Sequence, residues 1–238
     1  RRGNRNFGNA YHVAESVWRS IHHPITTEMI TTGNNIPDVV DENVYYNRTS
    51  KKTFTRGLRD FHNKYVKRKL IVDVSKRGDT LIDMTVGKAG DLSKWIDARL
   101  SFIFGVDIAK DNIENRIDGA CARYLKMHKK YHSLPRALFA HANSSLNLSS
   151  GEAFFSEKGK QIINALNGIG PKDREKLGGG VYRQFGKHRD GFDIVSNMFS
   201  IHYFFENTET FHNFLQNVSE NCKVGGYFIG CCYDGKRI

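Results

Sequence analysis

The chain has no apolar run that approaches the roughly 18–20 residues of a membrane-spanning helix, and it has no signal-peptide pattern. We therefore expect a protein of the cell interior without a membrane partner. Internal repeats are missing. Because the first residue is not methionine, we expect a segment of a longer protein. A length of 238 residues suffices for one α/β domain, with or without a helical extension.

Cysteine is scarce, and its four residues show neither a CxxC pair nor the spacing of a zinc site. The adjacent Cys231 and Cys232 lie in an apolar run that predicts a buried strand. We expect reduced core residues and no bound metal. The alternatives, a disulfide or a metal site, are disfavoured by the spacing.

Acidic residues are too few to balance the basic ones. The chain has 36 Lys and Arg against 25 Asp and Glu, a formal net charge of +11. Basic clusters occur at Lys64–Lys69, at Lys126–Lys130 and through Lys172–Arg189. This excess favours a polyanionic partner such as nucleic acid, because each phosphate contact releases counterions. The alternative is a solvated basic surface that keeps the protein soluble.

The first 44 residues indicate a helical extension that ends in a linker. The stretch Arg56–Ile71 predicts a basic amphipathic helix. Its expected buried side consists of apolar residues at helical spacing: Leu58, Phe61, Tyr65, Val66 and Leu70.

From Thr80 onward, short apolar runs alternate with helical patterns. The predicted strands are Leu81–Met84, Phe102–Ile108, Leu138–Ala142, Phe192–Asn197 and Tyr227–Cys232. The predicted helices are Leu92–Ala98, Asn112–His128 and Thr208–Val218. This alternation predicts an α/β fold, with a mostly parallel sheet and helices on both faces. Residues 144–190 show many charges and little periodicity, so we expect a long insertion with mobile parts.

A loop with Gly87 and Gly90 follows the first predicted strand and precedes a helix. Such a loop lets a ligand approach the backbone, and the helix N-terminus adds unpaired N–H groups. Thr85 stands where a first glycine of G-x-G-x-x-G would be, which disfavours a pyrophosphate cradle. Asp107 ends the second strand twenty residues after Gly87. Its carboxylate can hold both ribose hydroxyls of an adenosine cofactor, or it can cap the next helix.

Several ordered blocks together resemble the messenger-RNA cap guanine-N7 methyltransferases. Leu58–Ile71 resembles the N-terminal helix of that family, and Asp83–Trp95 is similar to its D-L-G-C-G-K-G-G-D-L-x-K-W motif. Gly105–Ala109 resembles its second motif. Phe192–Tyr203 is similar to F-D-x-V-S-x-Q-F-x-x-H-Y, and Gly225–Gly230 resembles the fifth strand.

The resemblance covers about residues 45–238. It is closest in appearance to the C-terminal methyltransferase domain of capping enzymes from large DNA viruses, which are poxvirus- and mimivirus-like. It implies a Rossmann-like class I methyltransferase that uses S-adenosylmethionine (SAM) and releases S-adenosylhomocysteine. The last strands of the family lie beyond this sequence, so we expect a domain truncated at its C-terminal end.

For the cofactor, the resemblance implies a role for each matching position. Lys67 would neutralise the SAM carboxylate. The backbone at Gly87 would pass under the methionine moiety, with Asp83 and Lys88 beside it. Asp107 would hold the ribose.

Two further cofactor positions depart from the family pattern. Asn143 stands where the family has an Asp that binds the adenine amine. Met198 replaces a Gln whose backbone approaches SAM. Three loop positions that are small in the family are also changed, to Thr85, Val86 and Ala89.

For the substrate, the resemblance implies that His202 and Tyr203 line the cap guanine pocket. Asn63 would contact the cap or a phosphate, and Arg59 would contact the triphosphate or the RNA. Without the resemblance, the residues favour structural interpretations. Lys67 is then one more lysine of a basic helix, and His202–Tyr203 is a pair in the core.

Guanine N7 carries an in-plane lone pair, so no proton has to leave before attack. The implied mechanism therefore needs orientation and no catalytic residue. The alternatives are a SAM methyltransferase with another substrate, or a catalytically silent module that binds RNA or a partner subunit. The implied partners are capped RNA (GpppN), other capping domains of the same polypeptide and a stimulatory subunit. A viral protein would act in the virion or the host cytoplasm.

Overall fold

The computed structural model describes Thr27, residues 56–131 and residues 133–232. The chain divides into two compact units, Arg1–Asp41 and Glu42–Ile238, and the description below concerns the second unit. Apart from Thr27, the predicted extension at residues 1–44 lies outside the described residues and stays a prediction, as does the boundary that follows it. No helix in the described part of the chain is long and apolar enough to cross a membrane.

One parallel sheet organises the second unit. Its strands are β1 (Thr80–Asp83), β2 (Phe102–Asp107), β3 (Arg136–His141), β4 (Phe192–Met198) and β5 (Cys222–Cys231). Every neighbouring pair is parallel, and the order across the sheet is β3-β2-β1-β4-β5. The predicted α/β fold is therefore confirmed. Since the strand order reverses between β1 and β4, their carboxyl ends are where such sheets bind ligands.

Helices connect and cover these strands. Before β1 the chain forms α1 (Arg56–Asp60), a π-helical segment (Phe61–Val66) and α2 (Lys67–Val74). Between β1 and β4 it forms α3 (Leu92–Asp97), α4 (Lys110–Glu114), α5 (Ala120–Lys130), α6 (Glu157–Leu166), α7 (Arg174–Leu177) and α8 (Gly179–Tyr182). A 3-10 helix (Ile201–Phe205) and α9 (Thr208–Asn221) precede β5.

The core forms two layers because successive strand residues point to opposite faces of the sheet. Leu81 and Ile103 belong to a buried cluster with side chains of α2, α3, α4 and α5. Ile82 and Phe104 belong to a second buried cluster with side chains of α6, α7, α8 and α9. All four are fully buried, and each such side chain contributes roughly 1.5–3 kcal/mol to folding. Both faces of the sheet are covered, as predicted.

The helix predicted over Asn112–His128 is interrupted, and that prediction was wrong. The chain leaves the helix at Asn115, whose side-chain oxygen accepts from the backbone N–H of Ile117 (2.9 Å) and of Asp118 (3.2 Å). A Cβ at Gly119 would lie 2.7 Å from the Asn115 backbone, so only glycine fits this tight turn. Side-chain bonds of this kind compete with helix formation.

The expected buried side of the basic helix was also partly wrong. Leu58, Phe61 and Tyr65 are 57%, 53% and 59% exposed, whereas Ile71 is fully buried. The reason is tertiary: α2 packs on α3 and β5, while α1 and the π-helical segment mainly contact one another and α2. The π-helical turn also changes the angular spacing on which the prediction depended.

Residues 144–190 contain more regular structure than their weak periodicity indicated. They form α6, α7 and α8, and they bury Leu148, Phe154 and Ile163 against the sheet. The helix α6 is capped at its N-terminus by Ser156, whose hydroxyl accepts the Gly159 N–H at 3.1 Å. The mobility of this segment stays a prediction.

The prediction of core cysteines at the end of β5 holds in part for Cys231, which packs against the buried cluster of Leu81 and Ile103, and is wrong for Cys232. Cys231 is half-buried and Cys232 is exposed. Their surroundings follow from topology, because β5 pairs only with β4 among the described strands and so lies at the edge of the sheet. All four cysteines are unpaired within the described residues.

Candidate active site

The carboxyl ends of three strands bring the predicted cofactor residues together. Asp83 ends β1, Asp107 ends β2 and Met198 ends β4. The register places Asp83 opposite Gly105 of β2 and Ser196 of β4. Asp83, Asp107 and Met198 are all at least nine-tenths buried. The adjacent strands β1 and β2 thus carry acidic side chains to the same edge of the sheet, beside the reversal point between β1 and β4.

A buried network of ion pairs lies beside Asp83. Lys67 Nζ is 3.2 Å from Asp91 Oδ2, and Lys94 Nζ is 2.8 Å from Asp91 Oδ1. Lys94 also donates to Asn63 Oδ1 at 2.9 Å. Asp91 and Lys94 are only 5% exposed each, which is rare for charged residues unless they are paired. The network links the π-helical segment, α2 and the loop after β1.

The two neighbouring carboxyl groups have opposite pKa shifts. Burial raises the pKa of Asp83 to about 7; the Asp91 charge adds to this effect, and Lys67 only partly offsets it. Burial also acts to raise the pKa of Asp91, but Lys67 and Lys94 outweigh it and lower that pKa. Asp83 is therefore a buried carboxyl group whose ionised form would be stabilised by a further cation. Perturbed groups of this kind are concentrated at functional sites.

Asp107 stabilises the backbone around it through hydrogen bonds. Its Oδ2 accepts the Gly87 N–H at 2.8 Å, and its Oδ1 accepts the Ala109 N–H and the Asn112 side chain, both at 2.9 Å. Gly87 has φ +54, a conformation that glycine adopts without strain. The carboxylate holds the loop after β1 and the turn before α4. The predicted alternative, a cap of the next helix, was wrong, because the N-cap of α4 is Ala109. A carboxylate has about four acceptor positions, so the ribose interpretation stays open as a prediction.

The atypical loop residues have specific partners. Thr85 Oγ1 is hydrogen-bonded to Ser200 Oγ, and Ser200 in turn donates to Asn197 Oδ1 at 3.0 Å. This hydroxyl chain joins the loop after β1 to the loop after β4 across the reversal point. Ala89 has φ 52, which costs a non-glycine residue roughly 1–2 kcal/mol.

Val86 occupies space that Gly105 leaves. A Cβ at Gly105 would come within 2.8 Å of Val86 Cγ2 and 2.9 Å of Phe139. The larger side chain in the loop is thus accommodated by a glycine in the middle of β2. The altered loop has a well-packed structure within this fold.

Lys88 and Asn143 are engaged elsewhere. Lys88 Nζ lies 3.1 Å from Asp111 and 2.9 Å from Asp118, away from the Lys67 network. Asn143 follows β3, and its side-chain oxygen accepts the Ser145 N–H at 2.9 Å. A cofactor role for either residue would require an additional or exchanged contact, and both roles stay predictions.

The predicted substrate residues lie on the surface near this network. His202 and Tyr203 lie in the 3-10 helix after β4, with ring centroids 4.1 Å apart, and both are exposed. The alternative of a buried core pair is therefore wrong, because both rings lie at the surface. Asn63 is exposed in the π-helical segment, and Arg59 is exposed one turn earlier in α1. Their roles toward a cap stay predictions.

Phe199 connects the two groups of residues. Its backbone has φ 63, and its ring meets His62 edge-on at 5.1 Å. Lys67 Nζ lies 5.3 Å from the centroid of the same ring. The residue follows Met198 at the end of β4 and precedes His202 by three positions. It thus packs the π-helical segment and α2 against the loop that leads to the 3-10 helix with His202.

Sequence reasoning missed several of these residues. Asp91 and Lys94 lie inside the block Asp83–Trp95, and their i,i+3 spacing at the start of a helix was the signal that could have identified them. The Thr85–Ser200 bond had no such signal, because its partners are 115 residues apart. In the described part of the chain, no three His, Cys, Asp or Glu side chains are grouped to hold a metal ion.

Known proteins of one family are similar to this chain. A family model described as the mRNA (guanine-N(7))-methyltransferase domain matches residues 38–238. A probable mRNA-capping enzyme of Acanthamoeba polyphaga mimivirus is 25% identical, over 98% of this chain and 20% of that protein. An mRNA cap guanine-N(7) methyltransferase of Candida glabrata is 30% identical, over 90% of this chain and 43% of its own length. The corresponding Saccharomyces cerevisiae protein is 30% identical, over 76% of this chain and 33% of its own length. The chain thus spans less than half the length of these relatives.

Proposed function

The chain belongs to the mRNA (guanine-N7)-methyltransferase domain family, and we propose that it transfers a methyl group from SAM to guanine N7 of the messenger-RNA cap. The observation that carries the proposal is the buried Asp83, Lys67 and Asp91 cluster at the reversal point of the sheet. It lies beside the loop that presents the exposed pair His202 and Tyr203.

The residues present fit the proposed cofactor. SAM supplies a methyl group on a positively charged sulfur, and its amino-acid end carries an ammonium and a carboxylate. The buried Asp83 carboxyl group, with its raised pKa, suits the ammonium, and the Lys67 ammonium suits the carboxylate. Asp107 suits the ribose hydroxyl groups, since its carboxylate faces the same loop.

The protein's own task is then to bind and orient. Lys67, Asp83 and Asp107 hold the cofactor, while His202 and Tyr203 hold the cap guanine. Guanine N7 attacks through its lone pair without losing a proton, so no side chain has to act as a base. Correct orientation of two reactants can contribute up to about 7–11 kcal/mol of barrier lowering. The product of the cofactor is S-adenosylhomocysteine.

Several wider expectations accompany this function. The substrate is capped RNA with a GpppN 5′ end, and the basic clusters of the chain suit its phosphates. Other capping domains in the same polypeptide, a stimulatory subunit and a site of action in a virion or host cytoplasm remain predictions. They have support only from the resemblance to viral capping enzymes.

The decisive experiment uses the full-length protein, GpppN-capped RNA and methyl-labelled SAM. Nuclease digestion followed by chromatography of the cap should place the label on guanine N7. Label on any other atom would overturn the proposal in favour of a different substrate specificity.

A titration with SAM and S-adenosylhomocysteine tests the rival that this is a silent module. The altered loop residues Thr85, Val86 and Ala89 motivate this rival. Absence of binding at millimolar cofactor would favour it, whereas saturable binding would leave only the methyltransferase hypotheses.

A further inference from the structure

One face of the first helical region exposes aromatic rings that the cofactor site does not use. Phe61 and Tyr65 are 53% and 59% exposed, and their rings stack with centroids 5.5 Å apart at an angle of 20°. Leu58, one turn earlier, is 57% exposed. Contiguous exposed apolar surface of this kind marks an interaction site more often than isolated exposed residues do.

These rings continue toward the candidate active site. Phe61 meets His62 edge-on at 5.6 Å, and His62 meets Phe199 edge-on at 5.1 Å. Phe199 lies in the loop that leads to the His202–Tyr203 pair. A series of four rings thus runs from the outer face of the helix to the loop that carries the predicted guanine pocket.

Basic residues are frequent in the helical region that carries the exposed rings. Between Arg56 and Val74 the sequence has six Lys and Arg but only two Asp. Lys64 pairs with Asp60 and Arg68 pairs with Asp97, both at 3.0 Å and both at exposed positions. Exposed pairs of this kind are worth about 0–1 kcal/mol, so a phosphate can replace the carboxylate at little cost. Lys69 is exposed in α2, which directly follows the π-helical segment.

We infer that this surface, made of Phe61, Tyr65, Lys64 and Lys69, binds the first nucleotides of single-stranded RNA that follow the cap. The inference rests on the proposed function, since it assigns the path of that substrate. Bases stack on Phe61 and Tyr65, and the backbone phosphates lie against Lys64 and Lys69. Flat rings interleaved with positive charge are the combination that binds single-stranded nucleic acid without reading its sequence.

The opposing choice of occupant is a protein segment. An exposed helix face that binds a protein segment would be expected to carry more aliphatic residues and fewer cations. Leu58 is the one aliphatic member of this face. The charge excess and the paired rings favour RNA.

The test compares two substrates in the full-length protein. The double variant Phe61→Ala/Tyr65→Ala should raise KM for a capped RNA of about ten nucleotides by about tenfold or more, because each lost stacking contact weakens binding. The kinetics with the dinucleotide cap GpppG should stay within about twofold of wild type, since it has no RNA to stack. A parallel titration follows fluorescence polarisation of an uncapped RNA of the same length.

Two control variants make the result specific. Phe61→Tyr/Tyr65→Phe keeps both rings and should bind RNA as wild type does. Tyr227→Ala removes a ring that is 52% exposed on β5 and should leave the RNA KM unchanged. An unchanged RNA KM in the alanine double variant would overturn the inference. So would an equal loss with RNA and GpppG, which would mean that the rings only support the active site.

Failure of the proposed function is a separate result. If the wild-type protein methylates neither substrate, the methyltransferase proposal fails, and the polarisation titration alone decides the RNA surface. Weaker RNA binding by the double variant in that titration would still support the surface, and equal binding would overturn it.

Discussion

The carboxyl ends of the strands form one edge of the parallel sheet, and their amino ends form the opposite edge. These two edges bury ionisable groups in different ways. At the carboxyl edge, Asp83 lies beside the buried ion pairs of Lys67 and Asp91. At the amino edge, the His188 ring lies between Phe102 and Phe192, at centroid distances of 4.8 and 4.4 Å. Neither ring nitrogen of His188 has a hydrogen-bond partner within the described residues.

Burial shifts the pKa of both groups, yet the two shifts do not indicate the same thing about function. Burial raises the pKa of Asp83 to about 7, and burial, helped by the Lys223 charge, lowers the pKa of His188 to about 4. Asp83 lies beside the paired charges of Lys67 and Asp91, whereas His188 is stacked between two phenyl rings, with the charges of Lys223 and Asp193 also acting on it. A shifted pKa alone therefore does not identify a functional site, since structural burial also shifts pKa values.

The largest expected effect comes from two aspartates, one at each edge. Asp107 and Asp193 each accept three hydrogen bonds in the structure. Asp107→Ala should weaken SAM binding by about a hundredfold, because hydrogen bonds to a charged acceptor are worth about 1.5–3 kcal/mol each. Isothermal titration calorimetry measures this loss.

Asp193→Ala is the matched control for that loss. It removes the contacts to Thr80 and Lys223 at the amino edge, so it should lower the free energy of unfolding and leave SAM affinity within about twofold. Equal loss of SAM affinity in the two variants would show that Asp107 acts through general stability and not through the ribose.

The second prediction concerns acid stability at the amino edge. The folded-state pKa of His188 lies below its unfolded value, so the unfolded chain takes up a proton more readily between about pH 6.5 and 4. Stability from this residue is present above about pH 6.5 and is lost as the pH falls. His188→Phe keeps the ring stack and should reduce that acid loss by about 2 kcal/mol near pH 5. Urea unfolding at several pH values measures it, and parallel curves for both proteins would contradict it.

The third prediction concerns Asp83 at the carboxyl edge. Its pKa of about 7 is above the unfolded value, so the free protein loses stability as the pH rises from about 4 to 7. SAM binding should show the opposite trend and strengthen about tenfold from about pH 5.5 to 7, because the ammonium of SAM needs the ionised carboxylate. Asp83→Asn should bind SAM weakly at every pH in this range. A pH-dependent affinity that persists in this variant would assign the titration to another group.

The smallest expected effect concerns the hydroxyl chain between the two loops. Thr85→Gly restores the residue type of the family and removes the bond to Ser200. Loss of one hydrogen bond should lower the free energy of unfolding by about 1 kcal/mol and change SAM affinity less than about threefold. Ser200→Ala should behave alike in thermal unfolding. A gain in SAM affinity above tenfold for Thr85→Gly would mean that the threonine obstructs the site.

Sequence patterns predicted the strands well, because their apolar runs are local. They also placed Asp83 and Asp107 at strand ends, which puts both at the carboxyl edge of any parallel arrangement. They did not predict the exposure of Leu58, because it depends on which part of a helix finds a packing partner. The order within residues 144–190 was missed for a related reason: burial there depends on the sheet, which lies elsewhere in the sequence.

The sequence by itself determined the α/β fold, the residues at the carboxyl ends of the strands and, through ordered motifs, the family. These features depend on residue type and on spacing along the chain. Only the tertiary structure decided which charges meet. Lys67 pairs with Asp91 across 24 residues, Lys88 turns to Asp111 and Asp118, and Thr85 reaches Ser200 across 115 residues. Coulomb and hydrogen-bond energies depend on distances in space, and folding alone sets those distances.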